Sequence, residues 1–190
     1  MAINLEKGGR INLEKEAPGL KKVLIGLGWD GNASDTGAEF DLDASAFMLD
    51  AADKLTVDGG FVFYNNLKSF DGALIHSGDN RTGAGDGDDE MLTLELSKVD
   101  AAIVNIPFVV TIHEAAQRSQ NFGQVRNAYV RLVDAETNKE IAKYELDEDF
   151  SAETAVEFGR LYKKDGEWRF QAVGTGFKTG LDAFVNKYSK

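Results

Sequence analysis

The sequence contains no cysteine and only two prolines and two histidines among its 190 residues. Without cysteine, disulfide bonds, thiolate zinc sites and cysteine nucleophiles are all excluded. A chain of this length can bury a sizeable hydrophobic core, so it needs no disulfides for stability. The scarcity of proline also argues against a proline-rich linker. We therefore expect a single domain over residues 1–190.

Long apolar runs are missing as well, and positive charge is in short supply. No stretch approaches the roughly 20 apolar residues of a membrane span, and residues 1–10 have no apolar segment typical of a secretory signal. The chain has 21 basic against 32 acidic residues, a formal net charge of −11. Such a chain repels nucleic acid and favours cations as partners. We expect a cytoplasmic protein.

Sequence signatures of catalysis are absent too. His76 and His113 do not share the spacing of a metal-binding pair. No Gly-x-Ser-x-Gly segment supplies a serine nucleophile. Paired carboxylates could perform acid–base chemistry, but here they are clustered as metal ligands would be. We expect no enzymatic activity.

Most of the sequence follows the two-residue period of β-strands. The predicted strands cover residues 23–27, 40–49, 61–64, 91–96, 108–113, 125–133 and 140–146. Residues 160–174 form a predicted hairpin around Asp165-Gly166. The repeat INLEK, at residues 3–7 and 11–15, predicts a second hairpin around Gly8-Gly9. Helices are expected only at residues 151–158 and 181–188. This pattern predicts a mainly β protein, an antiparallel β-sandwich with a few short helices.

One predicted strand, residues 40–49, places two aspartates on the same face. Asp41 and Asp43 are two positions apart, about 6.6 Å along the backbone, so their carboxylates could flank a metal ion. Phe47 and Leu49 lie on that face too, so an ordinary solvent-facing strand would need something else to cover them. Both interpretations remain open. Asp30, in a turn after an apolar strand, is either a third ligand or a turn former.

Residues 78–90 (GDNRTGAGDGDDE) form the most acidic segment, which we call the acidic loop. Five acidic side chains and Arg81 give it a net charge of −4 over residues 79–90. Within residues 79–90, glycines at positions 83, 85 and 87 let the backbone fold tightly. Hard oxygen ligands in this number suit Ca²⁺ better than Mg²⁺, and two Ca²⁺ ions would offset the charge. A flexible, solvated loop is the alternative.

The acidic loop does not match the known cation- or phosphate-binding motifs of similar composition. Ala84 stands where an EF-hand requires glycine. A single glycine-aspartate copy cannot build a calcium-binding β-helix. No Gly-Lys-Ser/Thr follows to cradle a phosphate. A calcium site here would therefore need ligands from elsewhere in the chain.

Several segments together resemble the TerD family of tellurium-resistance proteins. They are GLGWD (26–30), FDLDASAF (40–47), FYNNL (63–67), GDN (78–80), GDGDDE (85–90), QNFGQV (120–125), FG (158–159) and GEW (166–168). In this order they cover nearly the whole chain. The resemblance implies a β-sandwich that binds Ca²⁺ and acts in resistance to tellurite and other chemical stress.

The resemblance also implies metal-site residues and partners. Carried onto this sequence, the acidic positions of the family are Asp30, Asp41, Asp43, Asp79, Asn80, Asp86, Asp88, Asp89 and Glu90. Family members are thought to act with sister proteins and a membrane-associated complex at the inner face of the membrane. We therefore expect a non-catalytic calcium-binding stress-response protein whose ordered loop forms a docking surface. The alternative is a calcium-dependent membrane- or glycan-binding module.

Overall fold

Short strands separated by tight turns dominate the computed structural model, which describes residues 1–30, 40–77, 87–146, 150 and 152–190. The strands are β1 (Ile3–Leu5), β2 (Arg10–Asn12), β3 (Lys22–Gly28), β4 (Leu42–Phe47), β5 (Phe61–Val62), β6 (Leu74–His76), β7 (Glu90–Glu95), β8 (Asn105–Ile112), β9 (Tyr129–Asp134), β10 (Lys139–Glu145), β11 (Ala155–Lys164) and β12 (Glu167–Phe177). The helices are α1 (Leu13–Glu16), α2 (Ala115–Arg118) and α3 (Leu181–Tyr188). Three single 3₁₀ turns span Asp58–Gly60, Leu96–Lys98 and Phe122–Gln124.

The strands form two six-stranded sheets. The first sheet has the order β1-β10-β9-β3-β7-β6, and the second has the order β2-β12-β11-β8-β4-β5. Neighbouring strands are antiparallel except for β1 and β10, which are parallel. The predicted antiparallel sandwich is therefore confirmed, with one parallel pair at an edge.

The main hydrophobic core lies between the two sheets. Alternate residues of β3, including Ile25 and Leu27, share one apolar cluster with Leu42 and Ala44 of β4. Because side chains alternate across a strand, the intervening residues of β4 point to the outer face of the second sheet. The two faces predicted for this strand are thus confirmed.

Helix α3 covers the outer face of the second sheet. Phe47 and Leu49 are buried there in a separate cluster with Phe184 and Tyr188. The Phe47 and Tyr188 ring centroids are 5.0 Å apart. The predicted helix at residues 181–188 is confirmed, and it supplies the cover that Phe47 and Leu49 needed.

The hairpin between β11 and β12 turns at Asp165-Gly166, as predicted. Both turn residues have positive φ, 56° and 79°, a conformation that glycine adopts without steric cost. In β12, Trp168 and Phe170 are buried while Arg169 between them is partly exposed. The two-residue period therefore identified both strands correctly.

The prediction of an N-terminal hairpin is wrong. Strand β1 pairs with β10 of the first sheet, whereas β2 pairs with β12 of the second. Gly8 N–H donates to Ala172 O, and Ala172 N–H donates to Gly9 O, so the glycine turn is tied to β12. Each copy of the repeat therefore pairs with a long strand of a different sheet instead of with the other copy.

The predicted helix at residues 151–158 is also wrong. Its second half belongs to β11, which pairs with both β8 and β12. Val156 and Phe158 face the core with the two-residue spacing of a strand. Pairing on both sides overrides the weak local preference for helix. The first residue of the predicted helix, Ser151, lies outside the described residues.

The strand directions bring the ends of several strands together at one end of the sandwich. Strands β3, β8 and β10 end there, whereas β4, β7 and β9 begin there. Ser77, immediately before the acidic loop, donates its N–H to Met91 O of β7, and the described part of the loop, residues 87–90, leads into that strand. None of the described helices is long and apolar enough to span a membrane.

Candidate metal centre

Five of the predicted site residues lie at this end of the sandwich, which we call the acidic end. They are Asp30, Asp41, Asp43, Asp89 and Glu90. Three further predicted ligands, Asp79, Asn80 and Asp86, lie outside the described residues. The structure also describes Asp88, but its side chain points away from these five, to the outer face of the first sheet.

Asp41 and Asp43 are buried rather than solvent-facing, with exposures of 4% and 6%. Their segment runs beside the end of β8, where His113 N–H donates to Asp41 O at 2.8 Å. One imidazole nitrogen of His113, Nδ1, lies 3.8 Å from Asp43 Oδ2. Burying a carboxylate is costly unless a cation or hydrogen bonds compensate. The burial therefore argues against an ordinary solvated strand edge.

Glu90, the first residue of β7, is completely buried and joins the two sheets. Its Oε2 accepts a hydrogen bond of 2.5 Å from the Ala44 N–H of β4. His76 Nε2 lies 3.1 Å from Ala44 O and 3.6 Å from Glu90 Oε2. These contacts fix the start of β7, the strand into which the acidic loop leads. The position of Glu90 between the sheets gives the loop a rigid C-terminal boundary.

Asp89 lies next to the end of β3. Its Oδ2 accepts a hydrogen bond of 2.9 Å from Trp29 N–H. Burial raises the pKa of Asp89, and the neighbouring Asp88 and Asp30 carboxylates raise it further, against the lowering effect of the Trp29 bond. Bringing a cation close would relieve this repulsion.

Asp30 is held by the loop that precedes β9. Its Oδ2 accepts a hydrogen bond of 2.6 Å from Asn127 Nδ2, and its backbone N–H donates to Arg126 O at 3.0 Å. These contacts are those of a turn former. A carboxylate keeps further lone pairs after one hydrogen bond, so a ligand role remains compatible with this position.

Asp88 points to the outer face of the first sheet. Both of its carboxylate oxygens accept hydrogen bonds from Arg131 of β9. Its Oδ1 also accepts a hydrogen bond of 3.1 Å from the Tyr129 hydroxyl. Adjacent residues of the loop therefore have different surroundings: Asp88 contacts a cation, and Asp89 contacts backbone.

The described residues alone do not form a metal site. Within the described ranges, no three His, Asp or Glu side chains converge closely enough to hold a metal ion by themselves. The chemistry of the donors nevertheless fits a hard cation, because they are carboxylates that are buried or close to one another. Completing a Ca²⁺ shell of about 6–8 oxygens would require further ligands, such as those of the acidic loop outside the described residues.

Sequence reasoning missed two features of this region. Arg131 and Tyr129 lie more than forty residues from Asp88 in the chain, and no local pattern links them to it. The available signal was the pair of glycines, Gly26 and Gly28, in an otherwise apolar strand. A glycine inside a strand often marks close approach by another group.

The fold and the acidic end together define a class of protein: a two-sheet sandwich with carboxylates gathered where its strands end. A family model described as the TerD domain matches residues 1–188. The chain is 53% identical to a tellurium resistance protein TerD from Alcaligenes sp., over 99% of this chain and 97% of that one. It is 54% identical to general stress protein 16U of Bacillus subtilis (strain 168), with the same shares covered.

A solved structure agrees with these relatives. A homologue of the telluride resistance protein TerD from Streptomyces coelicolor A3(2) superimposes with a TM-score of 0.70 at 25% identity, over 88% of this chain and 96% of that one. The chain therefore belongs to the TerD family. Its relatives are named for tellurium resistance and general stress.

Proposed function

We propose that this protein is a non-catalytic, calcium-binding stress-response protein of the tellurite and chemical-damage resistance type. Two Ca²⁺ ions are held by the acidic loop together with carboxylates of the acidic end. The observation that carries the proposal is the burial of three carboxylates at the acidic end: Asp41, Asp43 and Glu90, the last residue of the acidic loop. Buried carboxylates at the end of a strongly acidic protein favour a bound dication.

Calcium binding would order the acidic loop by cancelling its charge. In the absence of metal the −4 charge of the loop opposes a closed arrangement, whereas two Ca²⁺ ions supply four positive charges. The ordered loop would then present a docking surface for sister proteins of the family and for a membrane-associated complex on the cytoplasmic side. Binding of this kind couples a local charge change to partner recognition.

Calorimetric titration of Ca²⁺ and then Mg²⁺ into chelator-stripped protein tests the proposal. We expect tighter binding of Ca²⁺, and a stabilisation of about 4 kcal/mol per site when free Ca²⁺ exceeds its dissociation constant a thousandfold. Asp43→Asn and Asp89→Asn should weaken binding. Asp165→Asn, in the exposed turn at the opposite end of β11, is the matched control and should bind as the unmodified protein does.

The absence of both a binding heat and a Ca²⁺-dependent shift in melting temperature would refute the proposal. Sedimentation with anionic vesicles, with and without Ca²⁺, tests the alternative of a membrane module. Apart from Met1, the large exposed apolar side chains of the described chain fall between residues 57 and 75, in and around β5 and β6. The acidic loop itself contains no aromatic residue, which disfavours lipid insertion by that loop.

A further inference from the structure

The Asp88 carboxylate is enclosed by hydrogen-bond donors on the outer face of the first sheet. Its side chain is 4% exposed. Oδ1 accepts from Arg131 Nε at 2.8 Å and from the Tyr129 hydroxyl at 3.1 Å. Oδ2 accepts from Arg131 Nη2 at 2.9 Å. Such a two-pronged contact between guanidinium and carboxylate is strong and geometrically specific.

The sheet beneath provides space for this contact. Gly26 of β3 lies directly opposite Arg131, and Gly28 lies opposite Tyr129. A Cβ at Gly26 would overlap the Asp88 carboxylate, and one at Gly28 would overlap the Tyr129 ring. Both glycines therefore form a shallow depression into which the end of the acidic loop fits.

The Asp88 carboxylate already has a fixed cationic partner, the Arg131 guanidinium. Arg131 also contacts Glu140 Oε2 through Nη1 at 3.1 Å, so one guanidinium serves two carboxylates. The hydrogen bonds to Asp88 and Glu140 raise the pKa of Arg131, which stays charged at all working pH values. A metal ion at Asp88 would have to displace this fixed cation or lie against it. Electrostatics therefore disfavour direct coordination by Asp88.

Asp89 offers a contrast one residue along the chain. Its Oδ2 accepts a hydrogen bond from Trp29 N–H, and the nearby carboxylates of Asp88 and Asp30 help to raise its pKa. The negative field of these two carboxylates favours a cation near Asp89, whereas at Asp88 the Arg131 guanidinium is already in contact with the carboxylate.

We infer that Asp88 is a positioning residue, which Arg131 clamps over Gly26 to fix the C-terminal end of the acidic loop, and that metal ligation falls to its neighbours. The clamp itself is independent of any metal. Its consequence for calcium rests on the proposed function. Outer contacts that orient a metal site change affinity by about 10–100-fold when removed.

The first part of the test uses metal-free protein and needs no calcium binding. Unfolding is measured by urea in chelator for Asp88→Asn, Arg131→Gln and the double variant. We expect the two sites to be coupled by about tenfold in the unfolding equilibrium constant. Asp89→Asn, the matched control, should show no coupling to Arg131→Gln. If Asp88→Asn and Arg131→Gln change the free energy of unfolding additively, the inference that Arg131 holds Asp88 in place is refuted.

Two further variants test the same contact in case Asp88→Asn or Arg131→Gln prevents folding. Arg131→Lys keeps the charge but loses the planar fork, so it should also reduce the coupling. Gly26→Ala should displace the carboxylate, and Asp88→Asn should then cost less stability in that background than in the unmodified protein. If Asp88→Asn destabilises the Gly26→Ala variant as much as it destabilises the unmodified protein, the inference is contradicted.

The second part measures Ca²⁺ binding by calorimetry. A positioning role predicts that Asp88→Asn and Arg131→Gln weaken binding by similar factors, about tenfold, and that the double variant is no weaker. If Asp88 were a ligand competing with Arg131, Arg131→Gln would instead tighten binding, and that result would overturn the inference. If the unmodified protein binds no Ca²⁺, the proposed function fails, and the metal-free measurements still decide the clamp.

Discussion

Tyr188 at the end of α3 should make the stability of the protein sensitive to alkaline pH. Its side chain is 1% exposed and packs on Phe47, and Arg160 Nη2 lies 3.5 Å from its hydroxyl. Burial raises the pKa of Tyr188 to about 12, helped by the Glu157 carboxylate and opposed by Arg160. The unfolded chain should ionise near the ordinary value of about 10.

The sign and size of the effect follow from this difference. Because the folded state holds the phenolic proton more tightly, the stabilisation is complete below about pH 10 and is lost as the pH rises toward about 12. At about pH 11 the unfolded phenol is about nine-tenths ionised and the folded one about one-tenth. Proton linkage then costs about 1.4 kcal/mol of stability, against almost nothing at about pH 9.

Urea unfolding of the unmodified protein and of Tyr188→Phe at these two pH values measures the effect. Phenylalanine keeps the ring packing and removes the proton, so the variant should lose about 1.4 kcal/mol less between the two pH values. Titration of lysines is common to both proteins and cancels in the difference. Tyr64→Phe, at an exposed tyrosine, controls for the substitution itself. Equal losses in Tyr188→Phe and the unmodified protein would refute the reasoning.

Three other substitutions test the packing of the sandwich. Phe184→Ala should destabilise the protein by about 3–5 kcal/mol, because it removes the buried ring that packs against Phe177. Thermal or urea unfolding measures this loss. A change below about 1 kcal/mol would show that α3 does not stabilise the sheet that it covers. Gly166→Ala should cost about 1 kcal/mol in urea unfolding, because alanine is strained at a φ of 79°, and an unchanged midpoint would contradict the turn geometry. Gly28→Ala should lower the free energy of unfolding by about 1–3 kcal/mol, because the new methyl group overlaps the Tyr129 ring. If this overlap is the cause, adding Gly28→Ala to a Tyr129→Ala variant should lower the stability much less.

The parts of the fold that depend on alternation within one segment could be predicted from the sequence. Residues 40–49 are an example, because their two-residue period gave both faces of β4 and the need for a cover over Phe47 and Leu49. The Asp165-Gly166 hairpin is another, because turn chemistry and flanking alternation agree. In both cases the determining residues are neighbours in the chain.

Features that depend on distant partners could not be predicted in this way. The two INLEK copies are identical, yet they join different sheets, because the strands beside them differ. Asp88 and Asp89 are the same residue type in adjacent positions, yet their contacts differ because Arg131, from another strand, binds the Asp88 carboxylate. The family resemblance located the acidic residues, but the direction of each side chain is set by tertiary contacts.

The N-terminal strands β1 and β2 have a consequence for self-association. Each is only three residues long, and each covers part of the edge of a much longer strand, β10 or β12. A long bare edge exposes a row of unpaired backbone groups that can recruit another chain, whereas a three-residue edge offers few of them. Removing residues 1–12 would uncover both long strands at once, so the first dozen residues protect the protein against polymerising through its sheets.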